Sequence, residues 1–325
     1  MTEETEAEGI AAPAMTAPAG PRFDAEVVPG GYLWWYVDGF TPDGAHGITL
    51  IALVGSVFSP YYAWSGRRDP LDHVALNVAV YGDAGKRWAM TERRRPALER
   101  SAHRLRLGPS ALDWDGERLR VTITERGAPL PLPVRGEVRL YPNAVTRRRF
   151  TLDPGGRHRW WPIAPAARIE VDLEQPTRRW EGIGYFDTNH GDAPLEADFV
   201  RWDWARAHAD GDAGIIYDAG LRDGTRTLLA LDCGGDGRVE DVEAPPRVEL
   251  PTTGWRVARG TRDAAPAAVA VRRTFEDTPF YTRSLLAATW RGRPALAMHE
   301  SLDLDRFAKP WVRVLLPFRM PRRLR

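Results

Sequence analysis

The segment LRVTI, residues 119–123, places an apolar side chain at every second position. Successive side chains of a β-strand point to opposite faces, so this alternation is typical of a strand with one buried face. The same period of two recurs at residues 74–80, 134–140 and 169–173. The chain is therefore predicted to contain many half-buried strands.

Turn sequences separate these segments. Asp115-Gly116, Asp153-Pro154-Gly155-Gly156 and Gly234-Gly235-Asp236-Gly237 are spaced as hairpin connections would be, and convincing amphipathic helices of ten or more residues are scarce. Many short strands without long helices indicate an all-β fold of the sandwich or barrel type. The 13 tryptophans either line an enclosed space or simply fill cores.

The length of 325 residues favours two units, because domains commonly have about 100–150 residues. We predict an Ala/Pro-rich disordered tail over residues 1–22, a first β domain over 23–170 and a second over 171–325. A short internal similarity supports a duplication: Tyr36-Val37-Asp38 resembles Tyr185-Phe186-Asp187.

The composition argues against several classes of protein. A formal charge of +1 gives no bulk field that would attract nucleic acid. The single cysteine, Cys233, excludes an intramolecular disulfide framework and fits a reducing, cytoplasmic compartment. The N-terminus lacks the basic and apolar regions of a secretion signal, and the apolar run over residues 48–58 is too short for a spanning helix. A soluble or peripheral protein is expected.

The segment GIGYFDTNHGD, residues 182–192, concentrates polar side chains between glycines. We expect the glycines to let the chain turn sharply and present Asp187, Asn189 and His190 together, at the lip of an apolar pocket in the second half. A metal site is disfavoured because the other histidines show no recognised ligand spacing. Two structural alternatives stay open, in which Asp187 and Asn189 cap a turn and His190 is a hydrogen-bonded core histidine.

A third interpretation of this segment is catalytic. In an apolar pocket the charged form of an aspartate is disfavoured, so its pKa rises and it can act as a general acid. The sequence contains no Gly-x-Ser-x-Gly motif and no nucleotide-binding glycine pattern, and we expect no cofactor. Tryptophans with paired acids would also suit a glycosidase, which is the competing enzyme class.

Several longer strings resemble the carotenoid 1,2-hydratases, also called hydroxyneurosporene synthases. They are PGGYLWWYVDGFTPDGAHGITLIALVGSVFSPYYAW (29–64), WEGIGYFDTNHG (180–191), FVRWDW (199–204), HESLDLDRF (299–307) and LPFRMPR (316–322). The family is similar to tandem lipocalin-like β-barrel proteins. The resemblance implies two such barrels and a cofactor-independent addition of water to the terminal double bond of an acyclic carotenoid, such as neurosporene or lycopene.

The resemblance also implies the residues of the site. It suggests His190 and Asp218 as proton-handling residues, and Asp187 is a further acid candidate from its place in the central motif. The side chains expected to contact the substrate lie in the same strings: Trp34, Tyr36, Asp38, Tyr62, Tyr185, Phe186, Asn189, Trp202 and Trp204.

Two questions stay open at this point. Related lipocalin-like proteins include terpenoid and polyene cyclases, and the same fold also suits a non-catalytic carotenoid or lipid carrier. A polyene substrate dissolves in membranes, so the basic and apolar C-terminus, residues 311–325, is a candidate for peripheral contact with the inner membrane face. The alternative for this segment is a final β-strand with a basic tail.

Overall fold

The computed structural model describes residues 20–83 and 85–323. It confirms the all-β prediction: the described residues form 21 strands in three sheets, with only short helices between them. Residues 1–19 of the predicted tail lie outside the described residues. No helix in the described part of the chain has the length and apolar character needed to cross a membrane.

The first twelve strands form one large antiparallel sheet. They are β1 (Tyr32–Phe40), β2 (Gly47–Val54), β3 (Val74–Tyr81), β4 (Arg87–Arg93), β5 (Leu98–Arg100), β6 (Arg104–Leu107), β7 (Ser110–Trp114), β8 (Leu119–Arg126), β9 (Pro133–Pro142), β10 (Phe150–Thr151), β11 (His158–Gln175) and β12 (Thr177–Gly191). Their order is β4-β3-β2-β1-β12-β11-β9-β8-β7-β6-β5, and β10 pairs with β11.

The remaining strands form a seven-stranded sheet, in the order β16-β15-β14-β13-β21-β20-β19, and a separate ribbon of β17 and β18. They are β13 (Phe199–Ala209), β14 (Asp212–Leu221), β15 (Arg226–Cys233), β16 (Val239–Asp241), β17 (Arg247–Leu250), β18 (Arg259–Arg262), β19 (Ala270–Asp277), β20 (Tyr281–Trp290) and β21 (Arg293–Asp303). The helices are α1 (Pro60–Trp64), α2 (Leu195–Asp198), α3 (Leu304–Phe307) and α4 (Pro310–Leu315). Four 3₁₀ turns cover Pro70–Asp72, Arg95–Ala97, Pro266–Ala268 and Leu316–Phe318.

The large sheet curls into a nearly closed barrel. Its strand β4 returns to contact β8 and β9, where Arg93 forms a buried ion pair with Glu125 at 2.7 Å. The alternating apolar residues of the sequence point into this barrel: Leu119, Val121 and Ile123 belong to its core. The period of two therefore predicted both the strands and their buried face.

The chain passes from the first sheet to the second between β12 and β13. Residues 171–191 belong to β11, β12 and the turn that joins them, and β12 pairs with β1 over residues 183–191 in the first sheet. The division into two tandem domains at residues 170 and 171 remains a prediction. The structure itself locates the crossing between the sheets at residues 192–198, which contain α2.

The two large sheets pack face to face through an aromatic layer. Strand β1 directs Leu33, Trp35 and Val37 into the barrel, and Trp34 and Tyr36 towards the second sheet. Alternation along each strand produces this division, because neighbouring residues occupy opposite faces. The aromatic layer consists of Tyr32, Trp34, Tyr36, Trp160 and Tyr185 from the first sheet, and Phe199, Trp202, Trp204 and Tyr217 from the second.

A buried ion pair also joins the sheets. The Arg206 guanidinium of β13 donates to Oδ1 of Asp38 in β1, and both side chains are fully buried. The guanidinium lies 5.1 Å from the ring centroid of Phe40 and 5.3 Å from that of Tyr185. Because neither charge reaches solvent, each depends on the other for compensation.

We expect Asp38→Asn to destabilise the protein by about 3–5 kcal/mol, because it leaves the Arg206 charge buried and unpaired. Urea unfolding monitored by tryptophan fluorescence measures the change. Glu240→Gln is the matched control, since Glu240 pairs with Arg238 at the surface and its loss should cost less than about 1 kcal/mol. Equal effects of the two substitutions would show that the buried pair does not hold the sheets together.

Candidate active site

A small polar cavity lies inside the aromatic layer. We call this space of about 40 Å³ the inter-sheet cavity; it is lined by Trp34, Tyr36, Asp187, Asn189, Trp202, Trp204, Tyr217 and Glu300. Strands β1 and β12 supply its first four residues, and β13, β14 and β21 supply the others. Both sheets therefore build the cavity, which corrects the expectation of a pocket in the second half alone.

A larger apolar channel adjoins the inter-sheet cavity. This entrance groove has a volume of about 310 Å³ and shares Trp34, Tyr36, Trp202 and Glu300 with the cavity. Further along, its walls are mainly apolar, and its lining includes the partly exposed side chains Trp255 and Leu315. The other apolar lining residues are Ile51, Phe58, Trp88, Met90, Pro279, Phe280, Leu302, Leu316 and Met320.

Asp187 is a buried carboxylic acid held by two donors. Its Oδ2 accepts hydrogen bonds from Trp160 Nε1 at 2.8 Å and from the Tyr185 hydroxyl at 2.7 Å. Its Oδ1 has no hydrogen-bond partner among the described residues. Burial raises the pKa of Asp187 from 3.8 to about 8, although both hydrogen bonds favour the charged form. At neutral pH the side chain is therefore a protonated acid beside an aromatic cavity.

Glu300 is the second carboxyl group of the inter-sheet cavity. Its Oε1 accepts hydrogen bonds from the Tyr36 hydroxyl and from Arg283 Nε, each at 2.8 Å. The Arg283 guanidinium is itself buried and donates to the Tyr81 hydroxyl at 2.7 Å. The cavity thus contains one acid held by neutral donors and one carboxylate paired with a cation.

The structure brings most of the sequence-predicted contacts together. Trp34, Tyr36, Asn189, Trp202 and Trp204 all line the inter-sheet cavity. In addition, Tyr185 orients Asp187 from within the first sheet. The similar segments of the sequence are partners across β1 and β12, since Tyr36 lies opposite Asp187 and Asp38 lies opposite Tyr185.

The structure does not place Asp218 in this cavity. In β14, Tyr217 faces the first sheet, and the next residue, Asp218, faces the β17–β18 ribbon. Asp218 pairs there with Arg247 and Arg262, and it also pairs with Arg226 of the neighbouring strand β15. Burial opposes its ionisation, but hydrogen bonds and charges from Arg226 and Arg262 outweigh that effect and lower the pKa of Asp218. Asp218 is therefore a paired carboxylate on the far side of the second sheet.

His190 also lies away from the cavity. The central motif does not turn as expected: residues 182–191 continue β12 in extended conformation. Asp187 and Asn189 therefore share one face, whereas His190 takes the other and lies beside Leu33 and Trp35 at the barrel. Desolvation and the charge of Arg159 lower the pKa of His190.

Three predicted contact residues have other surroundings. Phe186 is fully buried in the core of the barrel. Tyr62 of α1 donates its hydroxyl proton to the Gly31 carbonyl at 2.9 Å. Asp38 is paired with Arg206 between the sheets. None of these side chains lines the inter-sheet cavity or the entrance groove.

Three residues at the site were not predicted from the sequence: Trp160, Tyr217 and Glu300. Trp160 contacts Asp187 from β11, a strand that precedes the central motif. Tyr217 directly precedes Asp218 in the sequence, and Glu300 lies in the segment HESLDLDRF, residues 299–307. The strand alternation indicates that Tyr217 and Asp218 occupy opposite faces, but only the fold shows which face meets the cavity.

Within residues 20–83 and 85–323, no group of three or more His, Cys, Asp or Glu side chains is arranged to hold a metal ion.

Comparison with known proteins identifies the family. The family model of the carotenoid hydratase CrtC matches residues 50–325. The chain belongs to the carotenoid hydratase family. This membership confirms the resemblance recognised in the sequence, and it makes the protein an enzyme of the hydratase class.

Curated relatives agree with this membership. An acyclic carotenoid 1,2-hydratase of Thiocapsa roseopersicina is 55% identical over 318 residues, covering 96% of this chain and 78% of the relative. The protein of the same description from Rubrivivax gelatinosus is 52% identical over 310 residues, covering 93% of this chain and 76% of the relative.

Solved structures support the fold. The crystal structure of a putative AttH from Nitrosomonas europaea has a TM-score of 0.56 at 15% identity, covering 87% of this chain and 98% of the other. A crystal structure of CghA with Sch210972 has a TM-score of 0.54 at 10% identity, covering 85% and 89% of the two chains. At these identities the likeness concerns the fold alone.

We expect Asp187→Asn to stabilise the enzyme increasingly as the pH rises. In the unfolded chain Asp187 ionises near 3.8, whereas the folded protein keeps it protonated up to about 8. Between these values each pH unit costs the wild-type fold about 1.4 kcal/mol, and asparagine removes that cost. Urea unfolding at pH 5, 6 and 7 measures the trend.

Asp192→Asn is the control for this measurement, since Asp192 lies in the same motif but is exposed. The difference between the two variants assigns the pH trend to residue 187. A constant effect of Asp187→Asn would mean that Asp187 ionises in the folded enzyme near its ordinary value.

Proposed function

We propose that this enzyme adds water across the terminal 1,2 double bond of an acyclic carotenoid, with Asp187 as the proton donor, and releases a tertiary alcohol. The observation that carries the proposal is the buried Asp187 carboxyl at the wall of the inter-sheet cavity, whose Oδ1 has no hydrogen-bond partner among the described residues and whose pKa burial raises to about 8. The names of the similar proteins support the choice of substrate.

Protonation of the alkene is the first step. Asp187 transfers its proton to the less substituted carbon of the double bond, and the electron pair of the π bond forms the new C–H bond. The other carbon becomes a tertiary carbocation. Asp187 suits this step because its carboxyl is neutral at the pH at which it must donate a proton.

The aromatic layer stabilises the cation. Trp34 and Trp202 lie with their ring centroids 6.3 Å apart across the sheets, and Trp204 and Tyr217 complete the wall. Each aromatic face that meets a cation contributes about 0.5–2 kcal/mol. The reactants are an alkene and water, so in this proposal the reaction proceeds without a cofactor.

The entrance groove holds the hydrocarbon chain. Its volume of about 310 Å³ is at the lower end of small-molecule pockets. The groove accordingly accommodates one end of a long polyene, and the rest of the molecule extends past Trp255 and Leu315. This arrangement presents the terminal double bond at the junction with the inter-sheet cavity.

Asp187→Asn should abolish hydration, with a loss of at least about 100-fold, because an amide cannot supply the proton. Mass spectrometry after incubation with lycopene or neurosporene measures the product, which gains the mass of one water. His190→Gln is the matched control from the same strand and should retain activity, since His190 faces the barrel.

Three other outcomes of this assay would count against the proposal. A product of unchanged mass would indicate a cyclase, and pigment retained without any product would indicate a carrier. Hydration that persists in Asp187→Asn would remove Asp187 as the acid.

We further propose that the mouth of the entrance groove contacts the membrane surface. Segment 311–318 forms α4 and a 3₁₀ turn rather than the final strand considered as an alternative. Trp311, Val314 and Phe318 are largely exposed there, and Leu315 and Trp255 are exposed at the groove itself. Apolar side chains around the opening of an apolar channel allow a polyene to enter from lipid.

The arginines of the C-terminus have a smaller part in this contact than their number suggests. Arg313 pairs with Glu196 at 2.6 Å, and Arg322 pairs with Glu92 and with Asp72. Both guanidinium groups are thus engaged within the protein. Membrane contact should depend mainly on the exposed apolar side chains.

The double substitution Trp311→Ser with Phe318→Ser should reduce binding to phosphatidylcholine vesicles at least about 10-fold, because it removes two exposed apolar anchors. Vesicle flotation measures the bound fraction. Val242→Ser is the control, since Val242 is exposed but lies outside the groove. Unchanged flotation of the double variant, or none by the wild type, would refute the contact.

A further inference from the structure

We propose that Glu300 is the base that removes a proton from the attacking water. This inference rests on the proposed function, in which Asp187 supplies the first proton. Protonation of the alkene creates a cation but not yet an alcohol, so a second group must deliver water and accept the proton it loses. Glu300 shares the inter-sheet cavity with Asp187 and is the other carboxyl group that lines it.

Hydrogen bonds hold one carboxyl oxygen of Glu300 and leave the other oxygen available to accept a proton. Tyr36 and Arg283 both donate to Oε1. Within the described part of the chain the hydrogen bonds to Glu300 both go to Oε1, and none to Oε2 is found. Because Glu300 lines both the cavity and the groove, Oε2 can accept a proton from a molecule held between them.

The inter-sheet cavity has the size and polarity of a water site. A water molecule occupies about 30 Å³ in the liquid and needs two to four polar partners when buried. The cavity has about 40 Å³, and Asn189, Tyr217 and Glu300 contribute polar groups to its wall. The Asn189 amide lies 3.5 Å from the Tyr217 hydroxyl, so the two form one polar edge.

The two carboxyl groups of the inter-sheet cavity have different partners. Asp187 is held by the neutral donors Trp160 and Tyr185, whereas Glu300 forms an ion pair with the buried Arg283. The negative charge of Glu300 in turn helps to keep Asp187 protonated. Two carboxyl groups in unlike environments supply an acid and a base at the same pH.

Capture of the carbocation by water completes the reaction. The water oxygen forms a bond to the tertiary carbocation, and the resulting oxonium transfers one proton to Glu300 Oε2. The alcohol then leaves, Glu300 releases that proton to solvent, and Asp187 regains one from solvent. The sum is one alkene and one water giving one alcohol, without an oxidant or a reductant.

Glu300→Gln tests this role because it keeps an oxygen that can accept from Tyr36 and Arg283 but removes the base. In D₂O we expect alcohol formation to fall at least about 100-fold. Deuterium should nevertheless appear at the protonated carbon of recovered lycopene, because the cation still forms and then returns to alkene. Mass spectrometry of alcohol and recovered substrate measures both events.

Two further variants complete the experiment. Asp187→Asn should yield neither alcohol nor deuterated substrate, and alcohol formation in this variant would refute the proposed function instead. Glu181→Gln, a change at an exposed glutamate of β12, should match the wild type in both measurements.

Two results for Glu300→Gln would overturn the inference. Hydration within about threefold of wild type in Glu300→Gln would show that no base is needed there. Loss of both alcohol and deuterium in a variant that folds and binds lycopene would place Glu300 in the protonation step. Should Glu300→Gln not fold, Glu300→Asp gives the decision: reduced alcohol with retained deuterium exchange supports the role, and unreduced alcohol contradicts it.

Discussion

The face-to-face packing of two sheets through aromatic side chains is the constraint on which the rest of this structure depends. Strands β1 and β12 are neighbours in the first sheet, and β13, β14 and β21 face them from the second. The aromatic side chains leave a space beside Trp34, Trp202 and Trp204, which is the inter-sheet cavity. The same packing excludes solvent and leaves polar groups dependent on one another.

Exclusion of solvent explains the different behaviour of the carboxyl groups in this layer. Asp38 and Glu300 each have a buried arginine as partner, and Asp187 has only neutral donors. A carboxyl group without a cation in such a place is more stable in its protonated form. The carboxyl groups of Asp38 and Glu300 are therefore paired with cations, whereas that of Asp187 is protonated. The neighbouring side chains determine this difference.

Burial of Asp187 has a cost for the fold as well as the use in catalysis that we propose. A protonated aspartate in the folded state opposes folding wherever the unfolded chain would ionise it. Burial of apolar surface in the aromatic interface must offset this cost. Residues that weaken a fold in the interest of chemistry are a common feature of active sites.

The sequence by itself determined the class of fold, the family and much of the cavity wall. Alternation at residues 119–123 identified strands with one buried face, and the central motif contained Asp187 and Asn189. Tertiary structure decided which face of each strand meets the second sheet, and so separated Asp187 from His190 and Tyr217 from Asp218. It also brought Trp160 and Glu300 to the site. The physical reason is that alternation sorts neighbours onto two faces, whereas only the packing of one sheet on another gives each face its environment.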